Sequence, residues 1–597
     1  MLITYRFAYP NLENILIVGG DNIIPFYRIP DEVTISPESS YSVAGDPTQP
    51  LAADLQENYF YSDNFYAAFN PQPWRGRYVY LPDYAIGRLV EKPEEIMAAL
   101  DAYAARPVLQ ANSGLTVGYD FMIDLANAIS DALKKWGIPQ GALTSLIGPA
   151  WNANTLDGFL QKHSDIIALN GHFDHYRALA ADLQGAVTVD QMAENPALNG
   201  SLIFSVGCHA GLSVGDEQGF QNSLDFAQIF TRKGVTYVAN TGYGYGDAES
   251  IGYSERLMQL FVEVLPQSKT IGKALIQAKR QYFQELGTRS MTPYDEKILS
   301  VSTLYGLPML EIALPTTVQS AQAAAQPTDD WQLAPPAMCQ DSTGLMCRTA
   351  TFRPTYEQGD DGGYFLVKGQ GVQNVPDQPI LPRGSISITL NTDVARGALF
   401  EGGRYTVFND FTATATRVVT DSAASSTGVF TDSVVNWWPP TWDLINNVAT
   451  VGGVQQNFVV VPAQYRSPGG SSGQLRRFDE MQYTLYYTST RDVLPPSIWQ
   501  VKLTGDVLAV EATDFSDVAR VTVAYTYGNG VWQVQDLAVP ATGSIWTGTL
   551  NMQPGLAFFV QAVDKSGNVA THDNKGEYFP EIVRTHLYLP WVASNSP

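Results

Sequence analysis

The sequence predicts an α/β unit of mainly parallel sheets with flanking helices over residues 1–313, followed by two all-β sandwich modules, the last immunoglobulin-like. Three observations carry this prediction. Up to about residue 313, short apolar runs alternate with stretches of three- and four-residue periodicity, as in strands covered by helices. Residues 314–337, with "PTTVQSAQAAAQPTDDWQLAPPA", turn rich in Ala, Gln, Thr and Pro and form a linker. Beyond it the apolar period falls to two, between Gly-, Pro- and Ser-rich turns.

Taken in order, "NILIVGG" is a buried strand ended by a double glycine. "KPEEIMAALDAYAA" opens a helix with Pro93 in its first turn and Glu94 and Glu95 at its positive end. "MIDLANAISDALKKWG" sets Leu125, Ile129 and Leu133 on one helical face and stops at Gly137. "SDIIALNGH", "GSLIFSVGC" and "GVTYVANTG" are apolar runs that each end in a polar, glycine-bearing turn. In an open α/β sheet, ligands bind at the carboxyl ends of the strands, so His172, Cys208 and the segment after Asn240 would meet in one crevice. The helix "TIGKALIQAKRQYFQEL" carries Ile271, Leu275, Ala278, Tyr282 and Leu286 on a packing stripe. Residues 338–490, with "SISITL", "QNFVVVPA" and "QYTLYYTS", form the first sandwich. "RDVLPPS" then opens a module over 491–582, where "ARVTVAYTY" and "AFFVQAVD" alternate and "DKSGN" supplies a hairpin turn. The tail 583–597 is apolar but short, an edge strand or a sorting tag.

A formal net charge of −23 sets the long-range field against phosphate backbones, so nucleic acid is not expected as a partner. No apolar run reaches the roughly 18 residues that span a bilayer, so membrane insertion is not expected either. Structural calcium is compatible with the many carboxylates, although no EF-hand loop occurs. Of the three cysteines, Cys339 and Cys347 sit in a polar loop that an oxidising compartment could close as a disulfide. Cys208 is left over, either as buried filler or as a thiol kept for use.

A thiol becomes a strong nucleophile once a neighbouring imidazole takes its proton. Two adjacent parallel strands ending in turns would bring His172 and Cys208 together, with backbone N–H groups around Phe173 and Cys208 as an oxyanion hole. His175 and His209 compete for the base role, but His209 adjoins the thiol and strand alternation would aim it away. "HFDH" echoes half of a zinc site, yet Asn170 stands where another histidine is needed, so no metal site is expected.

The ordered stretches "ENILIVGGDNIIPFYRIPDE", "ENYFYSDNFYA", "PDYAIGRLVEKPEEI", "IIALNGH", "SVGCHAGLSV", "GVTYVANTGYGYGD" and "VSTLYGLPMLEI" resemble the catalytic region of gingipain-type cysteine peptidases over residues 13–312. The resemblance implies a caspase-like fold in two subdomains, 1–110 and 111–313, the first lacking its upstream part and any export signal. It implies His172 as base, Cys208 as nucleophile, and an acidic residue that orients the histidine, Asp120 first and Asp124 second. Both aspartates also suit a helix start, where carboxylates favour the dipole. Tyr243, Tyr245 and Asp247 would line the specificity pocket, Asp247 favouring a basic side chain, or the tyrosines simply pack. Asp63 and Arg88 hold structural positions as an ion pair. Phe173 departs from the family's usual glycine after the histidine. The expected protein is an extracellular or cell-surface bacterial endopeptidase with protein or peptide substrates and no required cofactor. The competing expectation is an inactive, peptidase-like binding platform.

Overall fold

The computed structural model describes residues 2–41, 46, 48–215, 224–315, 330–420, 429–538 and 542–580, so the expected tail 583–597 lies outside the described residues. Eight strands form one sheet: β1 (Asn14–Val18), β2 (Ala85–Leu89), β3 (Gly114–Gly118), β4 (Leu143–Ile147), β5 (Ile166–Leu169), β6 (Leu202–Phe204), β7 (Thr236–Asn240) and β8 (Ser302–Tyr305). Their spatial order is β1-β2-β8-β7-β6-β5-β3-β4. Neighbours run parallel except β7 and β8, which are antiparallel. The result is a mixed, mainly parallel sheet with helices on both faces.

The strands are apolar at consecutive positions because both faces are covered. Ile166, Ala168, Leu202, Phe204, Val238 and Leu304 join one core, with α2 (Ile123–Lys135), α5 (Tyr253–Val264), α6 (Ile271–Ser290) and α7 (Pro293–Val301). The alternate residues Ile167, Leu169, Ile203, Tyr237, Ala239 and Tyr305 join the opposite core, with α3 (Ala153–Leu160) and α4 (Phe226–Arg232). The helix α1 (Pro93–Ala105) packs on α4, and its Glu95 accepts the Lys92 N–H at its start. Arg88 and Asp63 form a buried bidentate pair, with Nη2–Oδ1 2.6 Å and Nε–Oδ2 2.9 Å.

Sheets cross two of the expected boundaries. β1 and β2, from residues 1–110, continue through β8 into the strands of 111–313, so one sheet crosses that boundary. A second shared sheet crosses the 490/491 break. Its spatial order includes β9 (Met346–Phe352), β11 (Gly473–Thr488), β10 (Val394–Phe411), β13 (Val531–Asp536), β12 (Val518–Thr526) and β14 (Ala557–Asp564), the central join being Gly403 opposite Trp532 and Arg404 opposite Val531. Phe400, Trp442, Phe478, Trp532, Phe559 and Tyr578 form a single core across it. The prolines of "RDVLPPS" therefore mark a turn of the chain inside one packed β unit. On the far face of β12 and β14, Val521, Val523, Phe558 and Val560 pack on Leu508, Val510 and Trp546 as a second core.

The linker also ends earlier than expected: Trp331–Leu333 is a strand paired with β9, and Trp331 stacks on Phe352 at 4.2 Å. A single tryptophan in a Pro/Ala-rich stretch does not change the composition enough to signal it. Cys339 and Cys347 form a disulfide with Cα atoms 5.5 Å apart. Among the described residues, no helix is long and apolar enough to cross a membrane.

Candidate active site

The site is set by strand register. β5 and β6 pair with Ile166 opposite Leu202 and Ala168 opposite Phe204, and His172 and Cys208 each lie four residues beyond that last pair. β5 also pairs with β3, Leu169 opposite Val117, and three residues onward His172 stands opposite Asp120. The three residues thus follow the ends of three adjacent strands, at the carboxyl edge. Neighbouring strands lie about 4.8 Å apart, within side-chain reach of one another.

His172 is held from two sides. Its Nε2 lies 3.3 Å from Asp120 Oδ2, which leaves Nδ1 as the nitrogen that can exchange a proton. Its backbone N–H donates to the Tyr119 hydroxyl at 3.0 Å, and that hydroxyl donates to Leu179 O at 3.0 Å. The Tyr119 and Phe121 rings flank the imidazole at 5.4 and 5.9 Å. Asp120 adopts a left-handed φ of +57°, a strained conformation of the kind that collects at functional sites. Asp124 instead turns back on its own helix, accepting the Leu125 N–H at 2.7 Å, and burial pushes its carboxyl up to about 6.

Phe173 explains its own departure from glycine. Its ring lies on Gly207, where a Cβ would come within 2.4 Å of Phe173 Cδ2, so the residue after the histidine packs against the residue before the cysteine. Leu179 N–H donates to His172 O, which makes Phe173 and Ala178 a non-hydrogen-bonded pair and turns the Phe173 N–H away from that hairpin.

Cys208 is buried, 4 % exposed. Its Sγ lies 3.6 Å from Gly244 O and 3.1 Å from the Thr420 hydroxyl, a residue of the β unit. Gly244 is glycine because a Cβ there would come within 2.1 Å of Val206 O, two residues before the cysteine. Asn240 Nδ2 donates to that same carbonyl at 3.0 Å.

The other predicted residues are used internally. His209 Nε2 lies 2.8 Å from Glu38 Oε2, and its ring stacks on Tyr41 at 3.6 Å. His175 Nδ1 lies 2.6 Å from the Tyr41 hydroxyl. Tyr243 N–H donates to Glu38 Oε1 at 2.9 Å, and Lys297 Nζ reaches Glu38, Asp31 and the Tyr245 hydroxyl at 2.8, 2.7 and 3.0 Å. Burial alone would raise the Glu38 pKa, but Lys297 and His209 outweigh it and hold the carboxyl down to about 2. Asp247 accepts from backbone and hydroxyl donors: Glu249 N–H at 3.1 Å, Ser250 Oγ at 3.0 Å and Arg417 N–H at 2.8 Å. Burial pushes its carboxyl up to about 7.

Sequence reasoning missed Tyr119, Glu38, Lys297 and Thr420. The first was hidden beside a candidate acid, and the others lie far along the chain from the residues they meet. Away from this site, Asp492, Asp514 and Asp564 bring one oxygen each to within 4.8 Å, a donor set of the type a hard cation takes. Asp564 already accepts from Ser566 N–H, Asn568 N–H and Asn568 Nδ2.

No family model matches the chain, and no curated protein matches it. Among solved structures, the chain is similar to the RgpB pro- and mature domains of Porphyromonas gingivalis, with 18 % identity, TM-score 0.20, and coverage of 27 % of this chain and 85 % of that one. It is also similar to gingipain K of Porphyromonas gingivalis, with 10 % identity, TM-score 0.19, and coverage of 27 % and 100 %. A third similarity is to a β-glucuronidase of Ruminococcus gnavus, with 10 % identity, TM-score 0.12, and coverage of 39 % and 40 %. The functional reading below rests on the geometry at Cys208.

Proposed function

We propose that the chain is a cysteine-type endopeptidase, with a caspase-like catalytic unit and an accessory β unit whose last module is immunoglobulin-like. The observation that supports it is that Asp120, His172 and Cys208 follow the carboxyl ends of three adjacent strands, with His172 Nε2 3.3 Å from Asp120 Oδ2. His172 Nδ1 takes the Cys208 proton, and the thiolate attacks the carbonyl carbon of a peptide bond. The C–S bond forms, and the Cys208 and Phe173 N–H groups receive the oxyanion. His172 returns the proton to the departing amine as the C–N bond breaks, leaving a thioester. Water, deprotonated by His172, attacks the thioester; the acid leaves and the thiol is restored. Asp120 keeps the imidazole oriented. The disulfide supports an extracellular setting.

The test compares rates of labelling by a peptidyl electrophile, located by peptide mass spectrometry, in the wild-type chain and the His172→Ala variant. Cys208 should be the labelled residue, and its rate should fall by about 10²–10⁴ in the variant, as removal of a general acid–base requires. Cys208→Ala should abolish hydrolysis of a peptide library. Equal labelling with and without His172→Ala, both in the wild-type chain and in Thr420→Gly, which removes the hydroxyl beside the sulfur, would overturn the reading and leave the binding platform.

A further inference from the structure

The segment that covers Cys208 comes from the β unit. After β10 ends at Phe411, Thr414 N–H donates to Gly363 O at 2.9 Å and Thr416 N–H to Gln378 O at 2.8 Å, so this stretch is fastened to its own unit. The next four residues cross to the catalytic unit. Val418 and Val419 pair antiparallel with Asp247 and Gly246, and Ala248 N–H donates to Arg417 O at 3.1 Å. Arg417 N–H donates to Asp247 Oδ2, and Val418 joins the core beneath the sheet. Thr420 then brings its hydroxyl to the sulfur.

The direction of this strand carries the inference. Moving from Val418 to Thr420 moves from Asp247 back toward Gly244, whose carbonyl lies 3.6 Å from Cys208 Sγ. The chain therefore approaches the sulfur in its N-to-C direction, as the acyl side of a peptide must if its carbonyl is to reach the nucleophile. An added strand gains affinity from backbone hydrogen bonds and selectivity from the pockets that take its side chains.

We propose that Arg417–Thr420 occupies the groove for the acyl side of the substrate. The groove binds extended peptides by pairing with Gly246–Asp247 and takes β-branched side chains where Val418 and Val419 lie, and the β unit holds the enzyme latent by filling it. This rests on Cys208 as the nucleophile. The group facing the sulfur is a hydroxyl, which has no acyl carbon to attack, so the occupant blocks the thiol. Being part of the same chain, it competes at a high effective concentration. Its base is fixed by buried contacts between the units: Glu285 of α6 bridges Arg256 of α5 and Arg383 of the β unit, each at 2.7 Å. Tyr364 also donates to Glu249 O, and Asn374 Nδ2 to Ser250 Oγ, at 2.8 and 2.9 Å.

The experiment uses the full chain and iodoacetamide, following alkylation of Cys208 by mass spectrometry. Val418→Asp/Val419→Asp sets carboxylates against Asp247 and should raise the labelling rate by about tenfold or more. Thr420→Gly removes only the side chain on the sulfur, so it serves if the double variant does not fold, and should raise the rate several-fold. The capped pentapeptide Thr-Arg-Val-Val-Thr should slow labelling of the double variant again. Wild-type labelling as fast as that of both variants would overturn the proposal. Wild-type peptide hydrolysis that is His172-dependent and as fast as in the variants would also overturn it while leaving the peptidase reading intact. Fast labelling of the variants, slowed by the pentapeptide but without His172-dependent hydrolysis, would keep the occupied groove and remove the peptidase.

Discussion

At the scale of single residues, the site depends on small contacts behind the reacting groups. The Phe173 ring fills the space that a side chain at Gly207 would need. Gly207→Ala should therefore destabilise the protein by about 1–3 kcal/mol through overpacking. Phe173→Ala should cost about 3–5 kcal/mol through the cavity it leaves. In the double variant the new methyl group sits in that cavity, so the combined loss should be smaller than the sum of the two, as contacting residues require. Urea midpoints of the three variants measure this, and strict additivity would show that the two residues do not touch. Other residues were legible to different degrees. His172 and Cys208 stood out because each follows an apolar run, and Asp120 only through the resemblance, which implies an acid after an earlier strand. Tyr119 did not, since a tyrosine at a strand end has many reasons to be there. Glu38 and Lys297 could not be paired by any local pattern, because 258 residues separate them.

At the scale of elements, the strands and helices of the α/β unit followed from apolar runs and helical periodicity, but their neighbours did not. Parallel strands carry no turn that reveals which lies beside which, and the antiparallel β8 enters the sheet between β7 and β2 from far along the chain. That Asp120, His172 and Cys208 follow three adjacent strands was therefore invisible until β3, β5 and β6 were seen side by side. The junction between the units was equally hidden, because Glu285 and Arg383 belong to segments of different periodicity. Burial alone would raise the Glu285 pKa, but the guanidiniums of Arg256 and Arg383 hold its carboxyl below the usual range. Glu285→Leu would take from the buried Arg383 its carboxylate and leave Arg256 only the 3.9 Å contact with Glu263, and should cost about 3–5 kcal/mol. Replacing all three by apolar residues, Arg256→Met, Glu285→Leu and Arg383→Met, should recover most of that loss, since it removes the charges along with their pairing. Urea denaturation of the single and triple variants distinguishes a buried ion cluster from a surface one, whose loss would be below about 1 kcal/mol.

At the scale of the whole molecule, the change of period marked where the α/β and β units part, and within the β unit one sheet and one core run across residues 490/491 while residues 508–579 keep a second core. Charge acts on the molecule as a whole too, and it makes stability depend on pH in a definite direction. Burial pushes Asp247 up to about 7 and Asp124 up to about 6, and burial likewise raises Asp225. Each binds its proton more tightly folded than unfolded, so its contribution is full below the ordinary aspartate value of about 3.9 and is lost as pH rises through the folded value. Glu38 has the opposite sign: its contribution is present above the ordinary glutamate value and is lost only as pH falls toward about 2. Between pH 5 and 8 the raised carboxyls therefore dominate, and the urea midpoint at fixed ionic strength should fall across that range, by an amount equivalent to a few kcal/mol. The net charge of −23 adds repulsion of the same sign, but salt screens that part, whereas the cost of ionising a buried carboxyl persists. Measured at both low and high salt, a midpoint that rises from pH 5 to pH 8 would show that these carboxyls are solvated. A fall at low salt that vanishes at high salt would assign the effect to surface charge. A fall that survives high salt would place it on the buried acids, Asp247 beneath the strand that covers Cys208 among them.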